Sequence, residues 1–322
     1  MTLLMITNRV KDKNTLGTTA GPTLYFEHAA GPVDKLANWK PFADQQAFKD
    51  RLVDIASQFP DVPVDRNEDQ KHINFFVHGF NNSWEDAAKR YEKLQANLFD
   101  KSDLGQSILY SWPSNGSPLG YLPDREDARG SAQSLAAEFV TLHDYLVVKQ
   151  RIVAKTQDPT KACRAKVSVI AHSMGNYVVQ KALAIAAKQL NSPQLLTLIT
   201  QLAMVAADVD NDLFQRDKPE DCDGSLMANL CYRICAMYTG LDQVLGASAG
   251  LKHFGTRRLG RSGLADPNNV WDNVFDIDVT SYIVKKDIHS AVFDSPRART
   301  LLENVLRGVD RGVLLGSKAA AA

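Results

Sequence analysis

Ala171-His172-Ser173-Met174-Gly175 follows the apolar run Val167-Ser168-Val169-Ile170 and precedes the helix-forming run Tyr177 to Leu183. A strand that breaks at a serine and turns at once into a helix constrains the fold more than any other segment of this chain. Such a turn holds the serine in a strained backbone conformation and lifts its hydroxyl clear of a sheet. The flanking positions must be small, because side chains there would collide with strand or helix. The usual first glycine is replaced here by Ala171, still small, and the second is kept as Gly175.

The rest of the chain reads as strands alternating with helices. Strands are predicted over Thr2–Ile6, Thr23–Phe26, Ile73–Val77, Ser107–Tyr110, Lys166–Ile170, Ala203–Ala207, Cys231–Tyr238 and Val274–Val279. Helices are predicted over Ala43–Ser57, Trp84–Leu98 with Ser83 as N-cap, Arg125–Val148, Asn176–Leu190 and within Ser290–Leu306. This alternation predicts an α/β fold, a mostly parallel central sheet with helices on both faces. The first two strands lie close together in sequence and are expected to form an antiparallel edge. No composition break marks a linker, so residues 1–316 are read as a single domain. The connections 211–230 and 244–271 are expected to hold short cap-forming pieces. The Pro/Gly-rich stretch from Trp112 to Pro123 reads as a loop, and the alanine-rich 317–322 as a disordered or appended tail.

Composition excludes several classes. Lys plus Arg and Asp plus Glu each number 37, so the net charge is zero and nothing draws the chain to nucleic acid. The four cysteines form no C-x-x-C pair and no histidine falls at zinc-finger spacing, so no metal or cofactor is expected. Cys231 and Cys235 read as small core residues on one strand face. No apolar run reaches membrane-spanning length and the N-terminus lacks a signal-peptide pattern, so the expected location is cytoplasmic.

A serine hydroxyl needs a base, and the base needs an orienting acid. Candidates for both are sought downstream of the serine turn, on loops after later strands. His289, in Asp287-Ile288-His289-Ser290, fits the base. Asp242, just past Cys231–Tyr238 through Thr239-Gly240-Leu241, is the preferred acid. Asp208, directly after Met204–Ala207, is the alternative. The oxyanion donors are expected to be the backbone N–H groups of Met174 and of Phe80, the latter in the loop His78-Gly79-Phe80-Asn81-Asn82. His172 is read as structural. His78, Trp112, Tyr121, Phe80 and Trp84 are candidate walls of a substrate pocket.

Taken together, Ile6-Thr7-Asn8-Arg9, Phe76-Val77-His78-Gly79-Phe80-Asn81, Tyr110-Ser111-Trp112-Pro113-Ser114, the serine turn and Asp287–Ser290 resemble the α/β-hydrolase superfamily. More narrowly, they resemble an uncharacterised bacterial esterase/lipase-like branch. The resemblance implies an α/β-hydrolase fold, with Ser173, Asp242 and His289 as nucleophile, acid and base. It implies hydrolysis of a small-molecule carboxylic ester through an acyl-enzyme. Thioester or amide cleavage by the same residues, or ligand binding without catalysis, are the alternative functions.

Overall fold

The computed structural model describes residues 2–61, 67–114, 121–190, 197–217, 223–252, 256–283 and 287–316, with backbone alone at 67, 121–124 and 250–252. Residues 115–120 of the expected loop, the Tyr121 side chain, Cys222, His253 and the tail 317–322 lie outside the described set.

Nine strands form one sheet: β1 (Leu4–Asp12), β2 (Thr15–His28), β3 (Trp39–Pro41), β4 (His72–Val77), β5 (Gly105–Ser111), β6 (Lys166–His172), β7 (Ile199–Val205), β8 (Cys231–Tyr238) and β9 (Val274–Asp278). Their order is β3-β2-β1-β5-β4-β6-β7-β8-β9. Pairing is parallel from β1 through β9 and antiparallel for β1/β2 and β2/β3, so the expected antiparallel edge is present. The chain steps from β4 outward to β5 on one side and to β6 on the other. That reversal opens a crevice at the carboxyl ends of β4 and β6, where open α/β sheets place their sites.

The central strands are buried throughout: every residue of β4 (HINFFV) and β6 (KVSVIAH) is buried. Helices cover both faces, as parallel sheets require. One apolar cluster packs α1 (Gln45–Ser57), α3 (Tyr121–Thr156), α4 (Gly175–Leu190) and α5 (Asp223–Leu230) on one face, through Phe48, Phe139, Val178 and Met227. The other packs α2 (Trp84–Leu94), α8 (Ala291–Asp294), α9 (Pro296–Arg307) and α10 (Arg311–Gly316), through Tyr91, Val292, Leu302 and Leu314. α6 (Gln243–Lys252) and α7 (Leu259–Ser262) follow β8.

The differences from expectation have local causes. β1 and β2 run on into a two-residue hairpin at Lys13-Asn14, with Lys13 at φ 48°. Their exposed distal ends carry no apolar alternation to read. The predicted strand Ala203–Ala207 instead spans Ile199–Val205 and stops where Ala206 takes φ 45°. Ser83 caps α2 through the Asp86 N–H (3.2 Å), but the helix becomes a π-helical turn after Leu94. Pro296 starts a new helix, splitting the last predicted one into α8 and α9. α5, from a stretch expected to form a cap, buries Met227 and Leu230 in the core. Cys231 and Cys235 are both buried but pack into clusters on opposite faces.

Two glycines set the geometry of the crevice. A β-carbon at Gly175 would lie 2.5 Å from the Val77 and His78 carbonyl oxygens. One at Gly79 would lie 2.7 Å from Ser173 Cβ. Both are backbone-to-backbone or backbone-to-stem approaches that cannot relax through a side-chain tip. Gly175→Ala is expected to lower stability by about 1–3 kcal/mol through forced separation of α4 from β4. A denaturation midpoint equal to wild type would contradict this packing.

Candidate active site

Ser173 follows the last residue of β6 and has φ 52°, a left-handed conformation rare outside glycine. Hydrogen bonds at both its N–H and its carbonyl hold it there. Its N–H donates to Val205 O (3.0 Å), and its carbonyl accepts from Asp208 N–H (3.2 Å) and from Asn176 Nδ2 (3.1 Å). Asn176 Nδ2 also reaches Ala171 O (3.0 Å) and Val205 O (3.3 Å), clasping the end of β6 to the end of β7. Among the described residues no backbone acceptor takes the Met174 N–H.

Asp242 lies in the turn after β8, its N–H bonded to Thr239 O (3.2 Å), and is fully buried. Its Oδ1 accepts from Leu245 N–H (3.0 Å), capping α6, and its carbonyl accepts from Arg261 (2.7 Å). Oδ2 lies 2.7 Å from His289 Nδ1. A carboxylate only accepts, so Nδ1 carries the proton and Nε2 is left as the basic nitrogen.

His289 sits in a single turn of 3-10 helix, Ile288–Ser290, against the ring of His172 (centroids 4.9 Å apart). Arg90 Nη1 donates to His172 Nδ1 (3.4 Å) and to Ser290 Oγ (2.9 Å). With Nδ1 accepting, His172 Nε2–H donates to the His289 carbonyl (3.0 Å). Burial, then the neighbouring His289 and Arg90, push His172 well below the ordinary histidine range, so it stays neutral and keeps this tautomer. The residue beside Ser173 thus anchors the backbone of residue 289. No hydrogen bond joins Ser173 Oγ to His289 among the described residues; such bonds commonly tighten only around bound substrate.

Met174 follows Ser173 in the chain, and Gly79, next to Phe80, brings the 78–82 loop against the serine stem. Asn82 Nδ2 ties that loop to Gly79 O (3.0 Å) and Phe80 O (2.8 Å). Asp208, the alternative acid, is turned elsewhere. It is 2% exposed and accepts from Arg258 Nε (2.8 Å) and Ser248 Oγ (3.0 Å), while Arg258 also pairs with Asp210. His78 and Trp112 do not line an open pocket: both are 0% exposed and stack on each other at 5.3 Å, and Trp112 Nε1 donates to His78 O (2.7 Å). Burial, then Arg9, pushes His78 down to about 3. Trp84 is likewise buried in the core. No group of described histidine, cysteine, aspartate or glutamate side chains has the geometry to hold a metal. No described helix is long and apolar enough to cross a membrane.

The family described as α/β hydrolases of unknown function (DUF900) matches residues 62–272, spanning β4 to α7 and including Ser173 and Asp242. The chain belongs to this α/β-hydrolase family. No curated protein matches it. Solved structures similar to it include an esterase from Pyrobaculum calidifontis, 11% identical, covering 84% of this chain and 90% of that one at a TM-score of 0.36. Another is the phospholipase PlaB from Legionella pneumophila, 14% identical, covering 76% of this chain and 60% of that one at a TM-score of 0.39. A third is an acylaminoacyl peptidase from Pyrococcus horikoshii, 13% identical, covering 92% and 48% at a TM-score of 0.28.

Several residues that build this hydrolase's site were not singled out individually from the sequence. Arg9, fully buried at the end of an apolar strand segment, donates to Ser111 Oγ (3.1 Å), Gly17 O (3.0 Å) and Asn82 O (3.1 Å), pinning the loop that carries Phe80. Its charge within LMITNRV was the available signal. Arg90, Asn176 and Arg258 sit on amphipathic or irregular segments where sequence carries no such mark. Because Asp208 is the main partner of the buried Arg258, Asp208→Asn is expected to cost on the order of 3 kcal/mol of stability. Urea unfolding of Asp208→Asn beside Asp242→Asn checks this. A smaller loss in Asp208→Asn than in Asp242→Asn would contradict the assignment of Asp208 to structure.

Proposed function

We propose that the protein is a serine hydrolase that cleaves carboxylic esters through an acyl-enzyme, with Ser173 as nucleophile, His289 as base and Asp242 as acid. The observation that carries the reading is the 2.7 Å contact between His289 Nδ1 and the buried Asp242 carboxylate, on a histidine whose backbone is bonded to the neighbour of Ser173. Ser173 Oγ attacks the ester carbonyl as His289 Nε2 takes its proton. Asp242 stabilises the resulting imidazolium and holds the ring. The N–H groups of Met174 and Phe80 receive the developing oxyanion, donors that need no reorganisation at the moment of reaction. His289 then protonates the leaving alcohol, and water, deprotonated by the same nitrogen, releases the acid.

Ester cleavage is favoured over mere ligand binding by the strain at Ser173. A non-glycine residue at φ 52° costs about 1–3 kcal/mol, and such strain collects at functional sites.

On a small activated ester, Ser173→Ala is expected to lower turnover by about 10⁴-fold or more while circular dichroism stays native. Near-native turnover would remove Ser173 from the mechanism. With the wild type, the rate is expected to fall toward acid pH, because a protonated imidazole cannot accept the serine proton. Burial keeps His78 and His172 neutral, so neither contributes an ionisation there. A rate independent of pH across the acidic and neutral range would exclude a histidine base.

A further inference from the structure

A second constellation flanks the serine turn. Tyr177 lies one helical turn past Ser173 on α4, and Asp208, whose N–H bonds Ser173 O at 3.2 Å, leads directly into Val209. Tyr177 and Val209 both line a cavity of about 140 Å³, shared with Arg125, Gln180, Lys181, Asp210 and Asp212. None of these residues has a part in the chemistry described above.

The charges around this cavity are nearly all matched. Lys181 Nζ lies 2.6 Å from Asp223 Oδ2, and Gln180 Nε2 donates to the same oxygen at 3.1 Å. Asp210 is paired with Arg258, and Asp212 is not free. Arg125 differs. Its guanidinium lies 4.0 Å above the Tyr177 ring, and Nη1 is buried with no hydrogen-bond partner among the described residues. Arg129 Nη2 donates to Tyr177 OH (3.2 Å), fixing the ring on which Arg125 stacks. A buried N–H donor without an acceptor is costly, and the cost is recovered when an oxygen arrives. A planar guanidinium held over an aromatic face is suited to a two-oxygen anion.

We propose that this cavity is a subsite for an anionic oxygen group, a carboxylate or a phosphate, held by Arg125 over Tyr177. That the anion belongs to the substrate rests on the reading of Ser173 as nucleophile; that the cavity binds an anion does not. The subsite selects substrates bearing a negative charge a short distance from the cleaved ester.

Titration calorimetry on the full chain with acetate and with inorganic phosphate, separately, tests the binding. Wild type is expected to bind at least one of them. Arg125→Gln is expected to weaken that binding about tenfold or more, and Arg125→Lys, which keeps the charge but loses the fork, to fall between. Tighter phosphate assigns the subsite to phosphorylated ligands, and tighter acetate to carboxylates. No heat with either anion, or equal affinity in Arg125→Gln, overturns the proposal. In turnover, the kcat/KM ratio of a carboxylate-ended ester (phosphate-ended if phosphate binds tighter) to a neutral ester of equal length is expected to fall about tenfold in Arg125→Gln. An unchanged ratio overturns the substrate role. Failure of wild type to cleave either ester counts against the nucleophile instead, and calorimetry still judges the subsite.

Discussion

The architecture around the site depends on keeping one serine in a backbone conformation it would not otherwise adopt. Left-handed backbone costs an L-residue about 1–2 kcal/mol. At Ser173 the cost is met by hydrogen bonds that tie its N–H and carbonyl to the end of β7, each contributing about 1 kcal/mol. The turn is therefore stable only while β6 and β7 end in register, His172 opposite Val205. On its other side β6 pairs with β4, Val77 opposite Ala171, and Gly79 and Gly175 admit the 78–82 loop and α4 to contact distance. A strained serine, two close backbone approaches and a clasping asparagine form one unit.

Electrostatics then divides two buried aspartates that sit just past neighbouring strands. Asp208 shares its carboxylate between Arg258 and Ser248, which leaves it a structural anion. Asp242 spends one oxygen on the first turn of α6 and offers the other to His289. Arg90 and His172 supply the opposing hold. They hold the carbonyl of His289 and the hydroxyl of Ser290 from the side of β6. The imidazole is thus gripped through its ring by one strand end and through its main chain by another.

The serine turn and the strand-and-helix alternation were legible because each rests on a local signal. Apolar runs mark buried strands, small residues mark the close turn, and polar residues after strand ends mark the site edge. What was not legible depends on contacts distant in sequence. The preference for Asp242 over Asp208 came from chain position, whereas their different surroundings depend on Arg258, fifty residues past Asp208. Aromatic residues near the loops suggested pocket walls, yet His78 and Trp112 stack on each other beneath the loop, with the Trp112 indole N–H taken by the His78 carbonyl. Arg9 entered the sequence reading only as the end of Ile6-Thr7-Asn8-Arg9, with no hint that it reaches the loop carrying Phe80.

The most direct measurement is covalent capture. The protein is treated with a fluorophosphonate, digested, and the modified peptide sequenced by mass spectrometry. The account predicts a single phosphonylated residue, Ser173, in wild type, and labelling slowed by orders of magnitude in His289→Ala. Labelling at another residue, or undiminished labelling of Ser173 in His289→Ala, would contradict it.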